Sequence, residues 1–203
     1  TGQAQGERVL DWALNWRHTR QPNRNVVSTE VRYNLVDGLN DVLLTQAALA
    51  PDGSATATPL DRETNRTDER QHVLFAQTDW TRELRKGTKL ETGYKGIFRT
   101  QDSDFDVALA SGADAYRPDA GRSNAFTYQE NVQAVYAVLS QNVGKLDLQG
   151  GLRLEQADTR FDLATTGQRF DADYRSAFPS AIVSYNLDAS RQVKASYSKR
   201  IGR

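Results

Sequence analysis

Leu146-Asp147-Leu148-Gln149-Gly150-Gly151-Leu152-Arg153-Leu154-Glu155 is the stretch that decides the fold of this chain. Leu146, Leu148, Leu152 and Leu154 fall on one parity, and Asp147, Gln149, Arg153 and Glu155 on the other. A helix would scatter those leucines around its circumference, whereas a strand turns successive side chains to opposite faces. The stretch reads as a β-strand with one apolar face and one charged face.

The same period of two recurs outward in both directions. Val183, Tyr185 and Leu187 alternate with Ser184 and Asn186, and Val193, Ala195, Tyr197 and Ile201 with Lys194, Ser196, Ser198 and Arg200. Leu90, Thr92, Tyr94 and Phe98 alternate with Lys89, Glu91, Lys95 and Arg99, with Gly93 and Gly96 thinning the strand. Val132, Ala134, Tyr136 and Val138 face away from Asn131 and Gln133, although Val135, Ala137 and Leu139 blur the polar side. Val27, Thr29, Val31 and Tyr33 form a weaker candidate, and Leu74, Ala76, Thr78 and Trp80 another. Leu10, Trp12, Leu14 and Trp16 oppose Asp11, Asn15 and Arg17, a pattern that a short helix would also satisfy.

The connections between these strands alternate in length. Arg85-Lys86-Gly87, Asn142-Val143-Gly144 and Leu187-Asp188-Ala189-Ser190 have the Gly or Asp/Ser chemistry of tight hairpins. Between them lie long polar stretches, about Gln46 to Gln71, Thr100 to Asn124 and Ala164 to Tyr174. A meander built this way has one end made of compact turns and another made for display.

Composition narrows the class. The 203 residues hold 26 Lys and Arg against 26 Asp and Glu, which removes the usual electrostatic basis for binding nucleic acid. The absence of cysteine excludes disulfides, thiolate metal sites and cysteine nucleophiles. The longest apolar runs, Asp41-Val42-Leu43-Leu44 and Ala47-Ala48-Leu49-Ala50, are far short of the roughly 20 residues of a spanning helix. No initiating Met and no signal or transit peptide is present, so a processed product or an excerpt is expected.

Two architectures fit this pattern. Strands apolar on one face, joined by short turns at one end and long loops at the other, are the signature of an outer-membrane barrel. In lipid every backbone polar group needs a partner within the protein, which a closed sheet supplies. The apolar face then meets acyl chains, and Asp147, Arg153, Glu155, Lys194 and Arg200 line a wet lumen. Trp16, Trp80 and Tyr185 suit interfacial girdles. A soluble antiparallel sandwich also alternates, and periodicity alone leaves both open.

A resemblance separates them. Tyr128-Gln129-Glu130, the run Lys145 to Glu155, Thr159, Tyr174, Phe178-Pro179-Ser180 and Ser196-Tyr197-Ser198-Lys199-Arg200-Ile201-Gly202-Arg203 occur in an order that resembles the outer membrane protein beta-barrel family of TonB-dependent receptors. Upstream, Gln77-Thr78-Asp79-Trp80-Thr81 followed by Lys89-Leu90-Glu91-Thr92-Gly93-Tyr94-Lys95 is similar to a hairpin of that family. The resemblance implies an all-β, antiparallel up-and-down transmembrane β-barrel, and this chain supplies a segment of about eight strands. Residues 1–203 are expected to be part of one barrel domain in the Gram-negative outer membrane, with the plug lying outside them. The implied partners are outer-membrane lipid, the TonB complex through the missing plug, and an unknown small-molecule or oligomeric ligand at the outer loops. The implied function is uptake of a scarce solute, with no enzymatic role and no cofactor. Alternatives are a self-contained small barrel with an adhesive or structural role, a barrel enzyme, and a soluble β-sandwich binding module.

No catalytic, cofactor-binding or metal residue is assigned. His18 and His72 are isolated, and a solvated His72 near a strand end is the default. Asp102-Ser103-Asp104-Phe105-Asp106 opens like a calcium loop, but Val107 and Ala113 stand where such a loop needs Gly and Glu, so a solvated acidic loop is expected. Asp147 and Glu155, with Arg153 between, are expected to make ordinary cross-strand charge pairs. Tyr116, Arg117, Asp119 and Arg122 sit in the middle long loop and read as solvated loop tips.

Overall fold

The computed structural model describes residues 2–21 and 25–200. Nine strands follow one another: β1 (Gly2–Gln21), β2 (Asn25–Leu49), β3 (Ala55–Arg85), β4 (Thr88–Ser111), β5 (Arg117–Pro118), β6 (Asn124–Val143), β7 (Leu146–Leu163), β8 (Gln168–Asn186) and β9 (Gln192–Ser198). They form one antiparallel sheet in the order β1-β2-β3-β4-β6-β7-β8-β9, with the two-residue β5 attached to β4. Residues 9–17 are strand, which settles the ambiguity between strand and helix there. Ile201, Gly202 and Arg203 lie outside the described residues. Among those described, β1 and β9 each have a single neighbour, and the sheet is not closed.

The sheet is polarised the wrong way for a water-soluble protein. On β7, Leu152 and Leu154 are 46% and 48% exposed, whereas the Glu155 side chain between strands is 8% exposed. The apolar face is bare and the charged face is covered. Among the described residues no second layer packs on this sheet, so the covered face is the concave one, where side chains crowd as the sheet curls. Leu10, Trp12, Leu14 and Trp16 are likewise more than half exposed on the outer side of β1. Water would oppose such a surface, while hydrocarbon favours it.

Register shows how this apolar belt crosses the sheet. One row runs Trp16, Thr29, Thr78, Tyr94, Val135, Leu154, Ala177. At its β1 end the row touches the turn-side limit of the belt, at Trp16. At its β8 end it touches the opposite limit, Ala177, eight residues from the turn-side aromatic Tyr185. Eight residues over six strand steps, at about 3.3 Å per residue and about 4.8 Å per strand, is a tilt of about 40°. That matches the ~35–45° tilt of strands in outer-membrane barrels. The belt is level only if the strands lean.

Two expectations need correction. Much of the long polar stretches is strand, not loop: β2, β3 and β4 are 25, 31 and 24 residues long and continue well past the belt, leaving connections at 50–54, at 112–123 around the short β5, and at 164–167. Alternating Thr, Asp, Arg and Gln satisfies both faces of a ribbon standing in water, and a polar-rich sequence hides that regularity. The second concerns β6. Val132, Ala134, Tyr136 and Val138 lie on the concave side, because Tyr136 pairs with Arg153 and Val135 with Leu154. The residues that seemed to blur the pattern, Val135 and Leu139, are the outer face, at 52% and 46% exposure. The turn-side connections behave as expected: Gly87 and Gly144 adopt the left-handed conformation that two-residue hairpins require.

Candidate functional site

The concave wall is where polar side chains converge. At mid-height Glu30, Arg32, Lys95, Arg99, Glu130, Arg153 and Glu155 all project to this side by parity. They settle into pairs: Arg32 with Glu30 at 2.6 Å, Arg153 with Glu155 at 2.7 Å, and Arg99 with Glu130 at 3.5 Å. The Arg153–Glu155 pair runs along one strand rather than across two, because Arg153 faces Phe178 and Glu155 faces Ser176 on β8. Asp147, nearer the turns, instead accepts hydrogen bonds from Asn142 Nδ2 at 2.6 Å and Asn186 Nδ2 at 3.1 Å. Asp147 and Glu155 therefore never meet. Phe75 receives Arg32 at 4.8 Å and Lys95 at 5.2 Å from its ring centroid, so cations sit on both of its flanks.

A latch crosses this wall. Tyr136 Oη, on β6, donates a hydrogen bond to Asp79 Oδ1 on β3, passing over β4. The passage exists because Gly93 is the β4 residue between them. A Cβ at Gly93 would lie 2.5 Å from Tyr136 Oη and 2.7 Å from the Thr78 carbonyl oxygen. Sequence reasoning noted Gly93 only as a weak point in the strand. The available signal was that glycine inside a strand often marks a close approach.

Farther from the turns, β1–β4 form a concave groove lined by Gln3, Gln5, Asn40, Glu69, Gln71 and Gln101. Gln3 Nε2 donates to Asn40 Oδ1 at 3.0 Å. The groove offers amide donors and acceptors with two carboxylates, Glu7 and Glu69, and no cation. It suits a neutral or cationic polar solute better than an anion.

The middle connection is pinned down. Arg122 donates to Glu63 Oε1 and Oε2 at 2.7 and 2.9 Å, a bidentate bond that holds the Glu63 carboxyl below its ordinary pKa. Arg62 donates to the Asp114 carbonyl at 2.6 Å and stacks over Tyr116 at 4.9 Å. The Asp119 carboxylate accepts from Gly121 N at 3.0 Å, Arg117 belongs to β5 opposite Leu109, and Val107 beneath is 2% exposed. Tyr116, Asp119 and Arg122 are thus structural anchors, not free loop tips.

The remaining candidates are dispersed. Asp102, Asp104 and Asp106 lie on one face of strand β4, not in a loop, and stand opposite Arg70, Asp68 and Arg66. His72 is in mid-strand, with Nδ1 2.7 Å from Tyr33 Oη. His18 stacks on Trp16. Among the described residues no three His, Cys, Asp or Glu side chains are grouped to hold a metal.

Comparison with known proteins agrees with this geometry. The model of the family described as "Outer membrane protein beta-barrel family" matches residues 18–203. Among solved structures, the ferric-catecholate import receptor Fiu from E. coli K12, in its open form, superposes with a TM-score of 0.60 at 17% identity. That match covers 96% of this chain and 35% of Fiu. The ferric citrate transporter FecA in unliganded form gives 0.58 at 12% identity, covering 94% of this chain and 27% of FecA. The ferric yersiniabactin uptake receptor FyuA from Yersinia pestis gives 0.54 at 10% identity, covering 93% and 27%. This chain therefore spans roughly a third or less of those receptors. No curated protein matches it in sequence.

Proposed function

Since the chain belongs to the outer membrane protein beta-barrel family, and so to the Gram-negative outer membrane, we propose that residues 1–203 are part of the barrel wall of a TonB-dependent receptor importing a scarce solute. The observation that carries this reading is the joint polarity of the sheet: a bare apolar belt outside, paired charges inside, and strand ribbons extending past the belt. A wall segment contributes lining, not chemistry. The 20-residue edge of β1 would be a hazard if left unpaired in lipid. Further strands beside it, as in a barrel the size of the matched receptors, would cover that edge. The plug and the TonB complex enter this proposal through the resemblance. The cargo class is suggested by the ferric chelates in the names of the structural neighbours, while the amide-lined groove favours a neutral or cationic form of such a solute.

The test is uptake by the intact protein in cells. Isogenic strains with and without this protein are offered labelled ferric chelates of anionic, neutral and cationic types. Accumulation should require both the protein and TonB. Accumulation that persists after TonB deletion overturns the receptor reading.

A further inference from the structure

The concave groove of β1–β4 holds two carboxylates that nothing in the sheet uses. Elsewhere on this face carboxylates have donors: Asp11 accepts from Asn34, Glu91 from Lys89 and Glu130 from Arg99. Glu7 and Glu69 make no hydrogen bond or ion pair with any described residue. They face each other across β2, because Glu7 pairs with Gly38 and Gly38 with Glu69. Two strand spacings, about 9.6 Å, separate their backbones, and both side chains rise beside a position that has none. The row stands three residues beyond Leu10 and Leu35 in the belt, on the side away from the short turns, so it meets the external medium.

Gly38 is the odd residue in that row. Glycine inside a strand weakens it and often marks a bulge or a close approach by another group. The registers on both sides run through Gly38 without a shift, so no bulge is there. A Cβ at this position would meet only the Glu69 carbonyl oxygen, at 3.9 Å, which is ordinary contact. At Gly93, by contrast, protein atoms fill the space. The space above Gly38 is open, within a groove of about 510 Å³. No Lys or Arg lines that groove, while Gln5, Gln71 and Gln101 offer amides that no described side chain engages.

Resting on the receptor reading, we propose that this groove selects a solute bearing a primary ammonium group. The ammonium sits over Gly38 between Glu7 and Glu69, and the amides bind the neutral polar remainder of the solute. An ammonium has three divergent N–H bonds, enough for a carboxylate on each flank and an amide oxygen. A planar guanidinium spends its fork on one carboxylate. A bare divalent ion needs more oxygen ligands at closer range, and no group of three metal ligands is assembled among the described residues.

Equilibrium binding to the intact receptor in mild detergent tests this. The probes are a ferric trihydroxamate chelate with one free primary amine and its N-acetylated form, which differ by one charge. The amine form should bind about tenfold more tightly, the worth of one charged hydrogen bond, and the preference should shrink as salt rises. Glu7→Gln combined with Glu69→Gln should bring the two forms level. Asp68→Asn, which removes the same charge from the outer face, should leave the preference intact. Gly38→Val should weaken binding of both forms without lowering thermal stability, since no protein atom lies closer than 3.9 Å to the added Cβ. Equal affinities for the two forms, binding of neither, or a preference that survives the double substitution overturns the proposal. None of these outcomes touches the receptor reading, which fails when uptake persists without TonB. Should the double variant fail to fold, the comparison of the two chelates on the unaltered protein still decides the matter.

Discussion

The two halves of β7 share a backbone and an outer face, yet they are written in different alphabets. From Leu146 to Leu154 the outward positions are Leu, Leu, Gly, Leu and Leu, while beyond them the same face carries Gln156, Asp158, Arg160 and Asp162. Both halves are paired on both sides with full registers. Secondary structure is therefore the same, and the difference records the solvent that each half meets. The sharpest way to break this comparison is to place one charge in each half. Leu152→Arg should cost about 2–4 kcal/mol in folding into bilayers, the penalty of a cation near the midplane. Gln129→Arg, on the outer face beyond the belt, should stay within about 0.5 kcal/mol. Folded fractions read from heat-modifiable migration across a denaturant series would measure both. Equal penalties would mean that the belt boundary is misplaced.

The concave side supplies the next contrast, between a latch and its surroundings. Most charge pairs there are neighbours on one strand, whereas Tyr136 spans β4 to reach Asp79. The span depends on Gly93, so Gly93→Ala should destabilise the barrel by about 1–3 kcal/mol through overpacking against Tyr136 and the Thr78 backbone. Combined with Tyr136→Ala, much of that cost should vanish, because the ring that collides is gone. A double-mutant cycle reads the coupling. Strict additivity would show that the alanine strains only the backbone.

How much of this was visible in the sequence differs between the same regions. The belt was legible because leucines at period two have one structural reading, and the family resemblance chose lipid over a sandwich core. Tilt was not legible, since it appears only when rows from seven strands are laid side by side. The ribbons read as loops because Thr, Asp, Asn and Arg carry no apolar alternation, although Asp61 to Ser111 pairs throughout apart from a bulge between Glu83 and Arg85 and the turn at Lys86 and Gly87. The β6 inversion was hidden for a related reason: Val132 and Ala134 are apolar and buried inside a curled sheet, so that strand is apolar on both faces. Arg122, taken for a loop tip, has a partner 59 residues away, a contact that local reading does not reach.

That long-range pin gives a third, smaller effect. Arg122→Ala should leave the barrel folded and speed protease cleavage between Gly112 and Ser123, while the same substitution at Arg117 should not. The pin also depends on pH. Because Arg122 depresses the Glu63 pKa, protection of this connection is complete above the ordinary carboxylate range and fades as acidification protonates Glu63. Limited proteolysis with an acid-active protease would follow it. Protection that is independent of pH would assign the ordering to Arg62 and Tyr116 instead.

The smallest expected effect lies at the opposite end, in the turn between β8 and β9. Asp188 Oδ1 accepts from Ser190 N, Ser190 Oγ and Arg191 N, each at 2.9 Å, and Oδ2 accepts from Arg191 Nε at 2.6 Å. Chiefly through Arg191, these bonds hold the carboxyl at about 2. A depressed pKa makes the ionised turn the favoured one: its contribution is full above the unfolded value of about 3.9 and is lost as pH falls through about 2. Amide exchange at Ser190 and Arg191 should therefore stay slow down to about pH 3 and accelerate only below it, with the belt untouched. Asp188→Asn should remove the pH dependence while keeping part of the turn, since an amide oxygen still accepts from the backbone. A midpoint near 4 would mean that the turn opens in membranes and that Arg191 points elsewhere. The contrast between a pinned outer connection and a self-sufficient inner turn would then disappear.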